Sequence, residues 1–253
     1  LENKTIAVFI GYEKGDNPEI ARPVMITTSA EVDKLVYDYT CKVMLTKYLL
    51  KPEVRALGRR GIIASYSNLR AIVAMAQENQ FKREELYIIA ASNGDKMPEY
   101  YDELLETTVK RYNSDESDKK VAELMKMSSE ERWAFWRKEF SKCIKCYACR
   151  QICPLCYCNR CIADKNQPQW IPTSPHVAGD YMWNVVRAYH LAGRCINCGE
   201  CERACPAGIP LMLMNRMVYS NIKENFDYEA GLDPKAAPPL ATYNQDDKEN
   251  FIL

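Results

Sequence analysis

Cys143, Cys146, Cys149 and Cys153, followed by Pro154, spell C-x2-C-x2-C-x3-C-P. Cys195, Cys198, Cys201 and Cys205, followed by Pro206, spell it again. Thiolates are soft anionic ligands, so eight of them in two identical runs point to metal chemistry. A four-iron cubane takes four thiolates. Three cysteines at two-residue gaps let one tight loop offer three sulfurs to one cluster. The fourth begins the next segment and points away. The proline after it ends the loop and withholds an N–H that would otherwise need a partner. A pair of structural zinc sites is the competing reading, but zinc motifs come as separated C-x2-C pairs rather than four-cysteine runs.

Each run has the spacing of bacterial two-cluster ferredoxins, in which the fourth cysteine ligates the other cluster. That predicts two 4Fe–4S clusters. Cluster I would use Cys143, Cys146, Cys149 and Cys205, and cluster II would use Cys195, Cys198, Cys201 and Cys153. From Ser141 to Pro206 there are eight Lys/Arg against four Asp/Glu. Two clusters of formal charge about −2 each would roughly cancel that excess, and cations beside the ligands should raise their potentials.

Cys156, Cys158 and Cys161 are left over in the run CPLCYCNRC. A third cluster or metal site is one reading, with its fourth ligand from Cys41, a partner chain or a non-cysteine group. Reactive or structural thiols are the other. Cys149, Cys153 and Cys156 also spell C-x3-C-x2-C, a radical-SAM pattern, but the overlap follows from the ferredoxin motif and no barrel-length α/β region comes after it.

Eleven of the twelve cysteines lie between Cys143 and Cys205. Disulfide scaffolds belong mostly to short secreted chains, and the N-terminus has no basic segment leading into an apolar stretch, so a cytoplasmic protein is expected. Lys+Arg and Asp+Glu balance at 34 each, which argues against general nucleic-acid binding. No apolar run approaches the roughly 18 residues of a membrane span.

The cysteine motifs need elements to hold them. The first half alternates strand and helix signals. Thr5–Ile10, Val24–Thr27, Gly61–Ala64 and Leu86–Ala91 read as strands. Helical periods run over Ser29–Leu50 and Asn68–Asn79, and Pro98 would open another. This predicts an α/β N-terminal domain, a small parallel sheet with helices, built from βαβ units. Ser128 and Glu131 form a capping box ahead of a helix reaching Phe140, whose Trp133, Trp136 and Phe140 mark a buried face. A further helix, Asp180–Ala192, joins the two motifs, with Tyr181, Val185, Tyr189 and Ala192 on one face and Gly193 as its stop. The expected division is an α/β docking domain at 1–112, a linker and connecting helix at 113–140, a ferredoxin-like, mostly helical dicluster domain at 141–225, and an acidic tail at 226–253. That tail, with six acids and two lysines, reads as solvated or wrapped on a partner.

Catalytic signals are sparse. No G-x-G-x-x-G or P-loop is present. Gly11–Gly15 and Ser92–Gly94 are weak phosphate-loop candidates. Ser65, Ser67, Asn68, Ser92 and Asn93 would follow parallel strands, where ligands bind open α/β sheets, although turn chemistry explains them equally well. His176 and His190 are the histidines, and packing is the simpler role for His190.

Five stretches carry a resemblance: GYEKGDNPEIARPV, LVYDYTCKVMLTKYLL, RAIVAMAQENQFKREELYIIAASNG, CIKCYACRQICPLCYC and AYHLAGRCINCGECERACPAGIPL. Together they resemble iron–sulfur subunits related to the deazaflavin-coenzyme hydrogenase/dehydrogenase beta subunits. The resemblance implies an electron-transfer subunit of a cytosolic anaerobic redox complex, a hetero-oligomer with heterodisulfide-reductase-like, hydrogenase or formate-dehydrogenase partners. Near Ser67 and Ser92 such relatives tend to carry cysteine, whereas Cys41 is retained. Some relatives bind flavin, with the ferredoxin motif ahead of the flavin domain; here the motif follows the α/β half. The leading expectation is therefore a relay of single electrons. A flavin- or deazaflavin-dependent oxidoreductase is the alternative, and a zinc-stabilised interaction module a third.

Overall fold

The computed structural model describes residues 1–91, 99–100, 115–165 and 167–239. Its sheet has five strands: β1 (Val8–Glu13), β2 (Arg22–Ile26), β3 (Arg60–Ala64), β4 (Leu86–Ala90) and β5 (Glu99–Tyr100). They run in the order β2-β1-β3-β4-β5. β1, β3 and β4 are parallel, with Val8 opposite Arg60 and Ile62 opposite Ile88. β2 and β5 pair antiparallel at the two edges. The sheet is thus mixed, not wholly parallel. The connection Lys14–Ala21 is too short for a crossover, which takes a dozen or more residues, so β2 folds back beside β1. The central β3 is buried along its whole length, as expected of a strand covered on both faces.

Helix α1 (Pro52–Arg55) is a single turn, and α2 (Tyr66–Gln77) is the crossover between β3 and β4. Ser65 caps α2 by accepting from the Asn68 N–H. The Asn68 side chain in turn accepts from the N–H groups of Leu45 and Thr46 at 3.0 and 3.2 Å. Ser65 and Asn68 are therefore occupied by backbone groups rather than facing a ligand. Ser92 and Asn93 and the Ser92–Gly94 candidate loop lie outside the described residues, as does Pro98; the helix expected to open there gives way at Glu99–Tyr100 to β5, which pairs with β4.

The segment Ser29–Leu50 is not an α-helix. It forms two 3₁₀ turns, Ser29–Lys34 and Thr46–Leu50, around an extended piece. Thr28 supplies no side-chain cap. The Val36 N–H instead donates to the Tyr12 carbonyl at 2.8 Å, and the Tyr12 hydroxyl donates to the Val43 carbonyl at 2.6 Å. Tertiary hydrogen bonds take the backbone groups that a helix would have used, and β-branched Val32, Val36, Thr40 and Val43 resist the helix weakly.

In the second half, α3 (Asp115–Lys126) begins inside the polar stretch expected as a linker. Val121 and Leu124, three apart, are buried where α3 meets α8 (Leu211–Phe226). α4 (Ser129–Phe140) has the expected capping box. Trp136 and Phe140 are buried with rings 5.0 Å apart, while Trp133 is half exposed and rests on Tyr181 at 4.5 Å. Two short helices, α5 (Ala148–Ile152) and α7 (Glu200–Arg203), carry the cysteine motifs, and α6 (Val177–His190) runs between them. Among the described residues no helix is long and apolar enough to cross a membrane.

One hydrophobic cluster runs from the sheet through to the cysteine region. The chain after α8 strengthens the join. The buried Arg70 donates to the Ala230 carbonyl at 2.7 Å, Gln77 donates to the carbonyls of Asp233 and Ala236, and Tyr228 donates to Gln77 at 3.2 Å. The first part of the expected solvated tail is therefore a strap over α2. Gly231 makes it possible: with φ +73°, it sits where a Cβ would fall 2.2 Å from the Arg70 carbonyl oxygen.

Candidate metal centres

The two cysteine loops repeat one backbone conformation. Lys145 and Tyr147 have φ of 55° and 59°; Asn197 and Gly199, at the matching places, have 58° and 79°. Left-handed backbone costs a non-glycine residue about 1–2 kcal/mol, so three such residues in two short loops imply compensation. The compensation is directional. Turning the chain this way aims successive N–H groups into the loop, a nest that favours anions. The N–H groups of Lys145 and Asn197 donate to the sulfurs of Cys143 and Cys195, and that of Glu200 to Cys198.

Each loop closes over a cavity. One is lined by Cys143, Cys146, Cys149 and Cys205. The other is lined by Cys153, Cys195, Cys198 and Cys201. The fourth cysteine of each motif thus stands in the cavity of the other. All eight are free thiols. Among the described residues no three His, Cys, Asp or Glu side chains converge as they would on a single ion. Thiolates about 2.3 Å from one zinc would lie about 3.8 Å apart. A cubane keeps its thiolates outside a cube of irons and sulfides, further apart than that. Four cysteines around each of two cavities match the four thiolates that a cubane takes.

Electrostatics make the same demand. Burial pushes up the thiols of Cys143, Cys149 and Cys198, raises Cys195 to about 11, and raises Cys201 to about 12. Thiolates there need cations, which bound iron supplies. Cys153 goes the other way because the Cys156 thiol donates to it, and that donation raises Cys156.

Helix α6 supplies residues that periodicity did not single out. Of the expected face, Ala192 is buried and Tyr181 and Val185 pack against the core, Tyr181 on Phe140, while Tyr189 is 61% exposed. The buried face carries Asp180, Trp183, Asn184 and Arg187. Asn184 bonds to Cys143 and lines its cavity, where Trp183 packs edge-on to Tyr147 at 4.8 Å. Arg187 lines the other cavity and donates to the Cys149 carbonyl at 2.8 Å. Burial alone would lower its pKa, but the thiols of Cys153, Cys149, Cys201 and Cys156 outweigh burial and raise it. On α8, Asn215 donates to the Cys201 sulfur at 3.4 Å. Lys145 is buried too, with Nζ donating to the Pro172 carbonyl at 2.8 Å and lying 3.9 Å from Asp180. The signal available in the sequence was polarity itself: an Asp, an Asn and an Arg on one face of a helix joining two cysteine motifs.

The remaining candidates fall elsewhere. Cys156, Cys158 and Cys161 line a third, larger cavity. Cys41 is absent from that lining; it lies in the α/β half, accepting from the Asp38 N–H at 3.4 Å and donating to the Val36 carbonyl at 3.7 Å. His176 caps α6, accepting from the Gly179 N–H, and His190 is exposed. Gly11 belongs to β1 and packs on Leu35.

Loops, cavities and crossing cysteines define a class. Residues 139–209 match the family described as a 4Fe-4S dicluster domain (Fer4_8), and this part of the chain is such a domain, made for two 4Fe–4S clusters. The chain is similar to the F420-dependent formate dehydrogenase subunit beta of Methanocaldococcus jannaschii, 38% identical over 108 residues, or 42% of this chain and 27% of that protein. It is also similar to the F420-dependent formate dehydrogenase 1 subunit beta of Methanococcus maripaludis, 33% identical over 107 residues, covering 42% and 26%. The aligned region is about a quarter of the length of these curated relatives. Both relatives are beta subunits, as the sequence resemblance implied.

Proposed function

We propose that this chain is the iron–sulfur electron-transfer subunit of an oxidoreductase complex. Cys143, Cys146, Cys149 and Cys205 hold one 4Fe–4S cluster, and Cys153, Cys195, Cys198 and Cys201 hold the other, in a ferredoxin-like crossing of the fourth ligands. When bound, the clusters supply one-electron acceptance and release. The residues around them set potential and access. Arg187, Asn184 and Asn215 place positive charge and donors beside the sulfurs, levers that raise a cluster's potential. The apolar shell of Trp183, Ile209 and Met212 keeps water from the sulfurs.

The observation that carries this reading is the lining of two separate cavities by four cysteines each, with one cysteine exchanged between motifs. The α/β half docks a catalytic redox partner. The names of the relatives favour a formate-dehydrogenase type over heterodisulfide-reductase-like or hydrogenase partners. Anaerobic purification with iron and sulfide analysis, and EPR of the reduced protein, tests it. Eight or more irons per chain with two interacting cluster signals is the expected result, and fewer than about eight irons after reconstitution contradicts it. A formate-oxidising subunit should co-elute from the native source.

A further inference from the structure

Three sulfurs remain outside the two dicluster cavities. Cys156, Cys158 and Cys161 line an open cavity of about 370 Å³. Arg150, Arg160, Arg187 and Arg194 line it too; Arg150 pairs with Asp164 and Arg194 with Glu78, which leaves Arg160 and Arg187 as the cations in excess among the described residues. Lys47 approaches Cys156 from the α/β half, donating to its carbonyl at 2.6 Å. Soft sulfurs in cationic surroundings suit an anionic metal–sulfur group better than a bare cation. Arg187 is 4% exposed, and among the described residues its Nε has no hydrogen-bond partner, so a buried donor on this wall lacks an acceptor there.

The three sulfurs do not converge on a point, which disfavours a single ion. The two four-cysteine sets do not converge either, and they belong to a dicluster domain. Three thiol donors lining one roomy cavity therefore suit a cluster of the kind the neighbouring domain is made for. No fourth cysteine lines the cavity. We propose that Cys156, Cys158 and Cys161 hold a third iron–sulfur cluster, a cubane with three thiolate ligands whose fourth iron faces the open cavity.

Its position gives it a use. Leu155, Arg187 and Leu191 line both this cavity and the one containing Cys153, so the wall between them is one layer of side chains. An electron arriving from the neighbouring centre would reduce one iron from the ferric to the ferrous state, with no bond made or broken. The open iron would take a small thiol or anion, or a ligand from a docked partner. The electron path and the kind of cluster rest on the two-cluster reading; the grouping of the three cysteines on one cavity does not.

The test is anaerobic reconstitution of the full chain and of the Cys158→Ser/Cys161→Ser double variant. These two thiols are exposed or half-buried, so the fold should survive, and circular dichroism melting checks it. About twelve irons in the wild type, falling to about eight in the variant with both dicluster signals kept, is the expected result. Cyanide added to the wild type should shift the EPR signal of the third cluster alone. Eight irons in both proteins overturns the third site and leaves the two-cluster reading standing. Twelve irons in both overturns the assignment to these cysteines, zinc at the site overturns its iron–sulfur nature, and a third signal indifferent to cyanide overturns the open iron.

Discussion

Arg187 donates from Nη2 to the Cys149 carbonyl at 2.8 Å while its side chain lines the cavity that holds Cys153. A single buried cation therefore touches the loop of one proposed cluster and the chamber of the other. A permanent charge in such a place acts on both redox centres, because low dielectric lengthens its reach.

Replacing it should show this. Arg187→Met is expected to make both cluster potentials more negative, at least one by about 60 mV or more, the one-electron equivalent of a tenfold shift. Arg187→Lys keeps the charge and should recover most of the change. EPR-monitored potentiometric titration reads both. Potentials identical to wild type in Arg187→Met would refute the role.

Asn215 should act on one cluster. Its Nδ2 donates to the Cys201 sulfur at 3.4 Å, and hydrogen bonds to ligand sulfurs raise potentials. Asn215→Leu keeps the volume and removes the donor. The same titration should find one midpoint lowered and the other unmoved; two equal shifts would mean a general structural effect.

Gly231 holds the strap over α2. Gly231→Ala is expected to cost about 2 kcal/mol or more, the left-handed backbone accounting for about 1–2 of it and the collision with the Arg70 carbonyl for the rest. Gly231→Asn separates the two causes: asparagine tolerates this backbone but still carries a Cβ. Denaturant unfolding of Gly231→Asn should therefore remain well below wild type, and a wild-type midpoint would show that no collision exists.

Glu78 binds Arg194 at 2.8 Å, joining the end of α2 to the residue before Cys195. Burial raises its pKa, although Arg194 pulls it down. A carboxyl whose folded pKa lies above its unfolded value contributes stability at pH below the unfolded pKa, and loses it as pH rises through the folded one. Glu78→Gln removes that titration. From pH 4 upward, the stability of Glu78→Gln relative to wild type should drift in the variant's favour, whatever the constant offset from losing the ion pair. Urea unfolding at a series of pH values measures it, and a difference that stays flat with pH contradicts it.

How much of this was legible beforehand depended on the range of the forces involved. The cysteine spacing and the prolines are local, so the two ligand sets could be proposed from the residue order alone. The strands Val8–Glu13, Arg60–Ala64 and Leu86–Ala90, the helix Tyr66–Gln77 and the capping box at Ser128 were readable for the same reason: each rests on neighbours within a few positions. The segment Ser29–Leu50 was misread because its backbone groups are claimed by Tyr12 and Asn68, which are distant in sequence.

The polar face of α6 was missed for a different reason. Periodicity looks for apolar residues turned inward, but here the interior also contains cysteine sulfurs, and the polar face of Asn184 and Arg187 turns toward them. The amino-acid order by itself determined which atoms can bind iron, since ligand chemistry belongs to residue types and their spacing. Only the tertiary structure decided which cation stands between the chambers and that the chain beyond Phe226 closes back on α2, because those relations are made by packing between segments far apart in the chain.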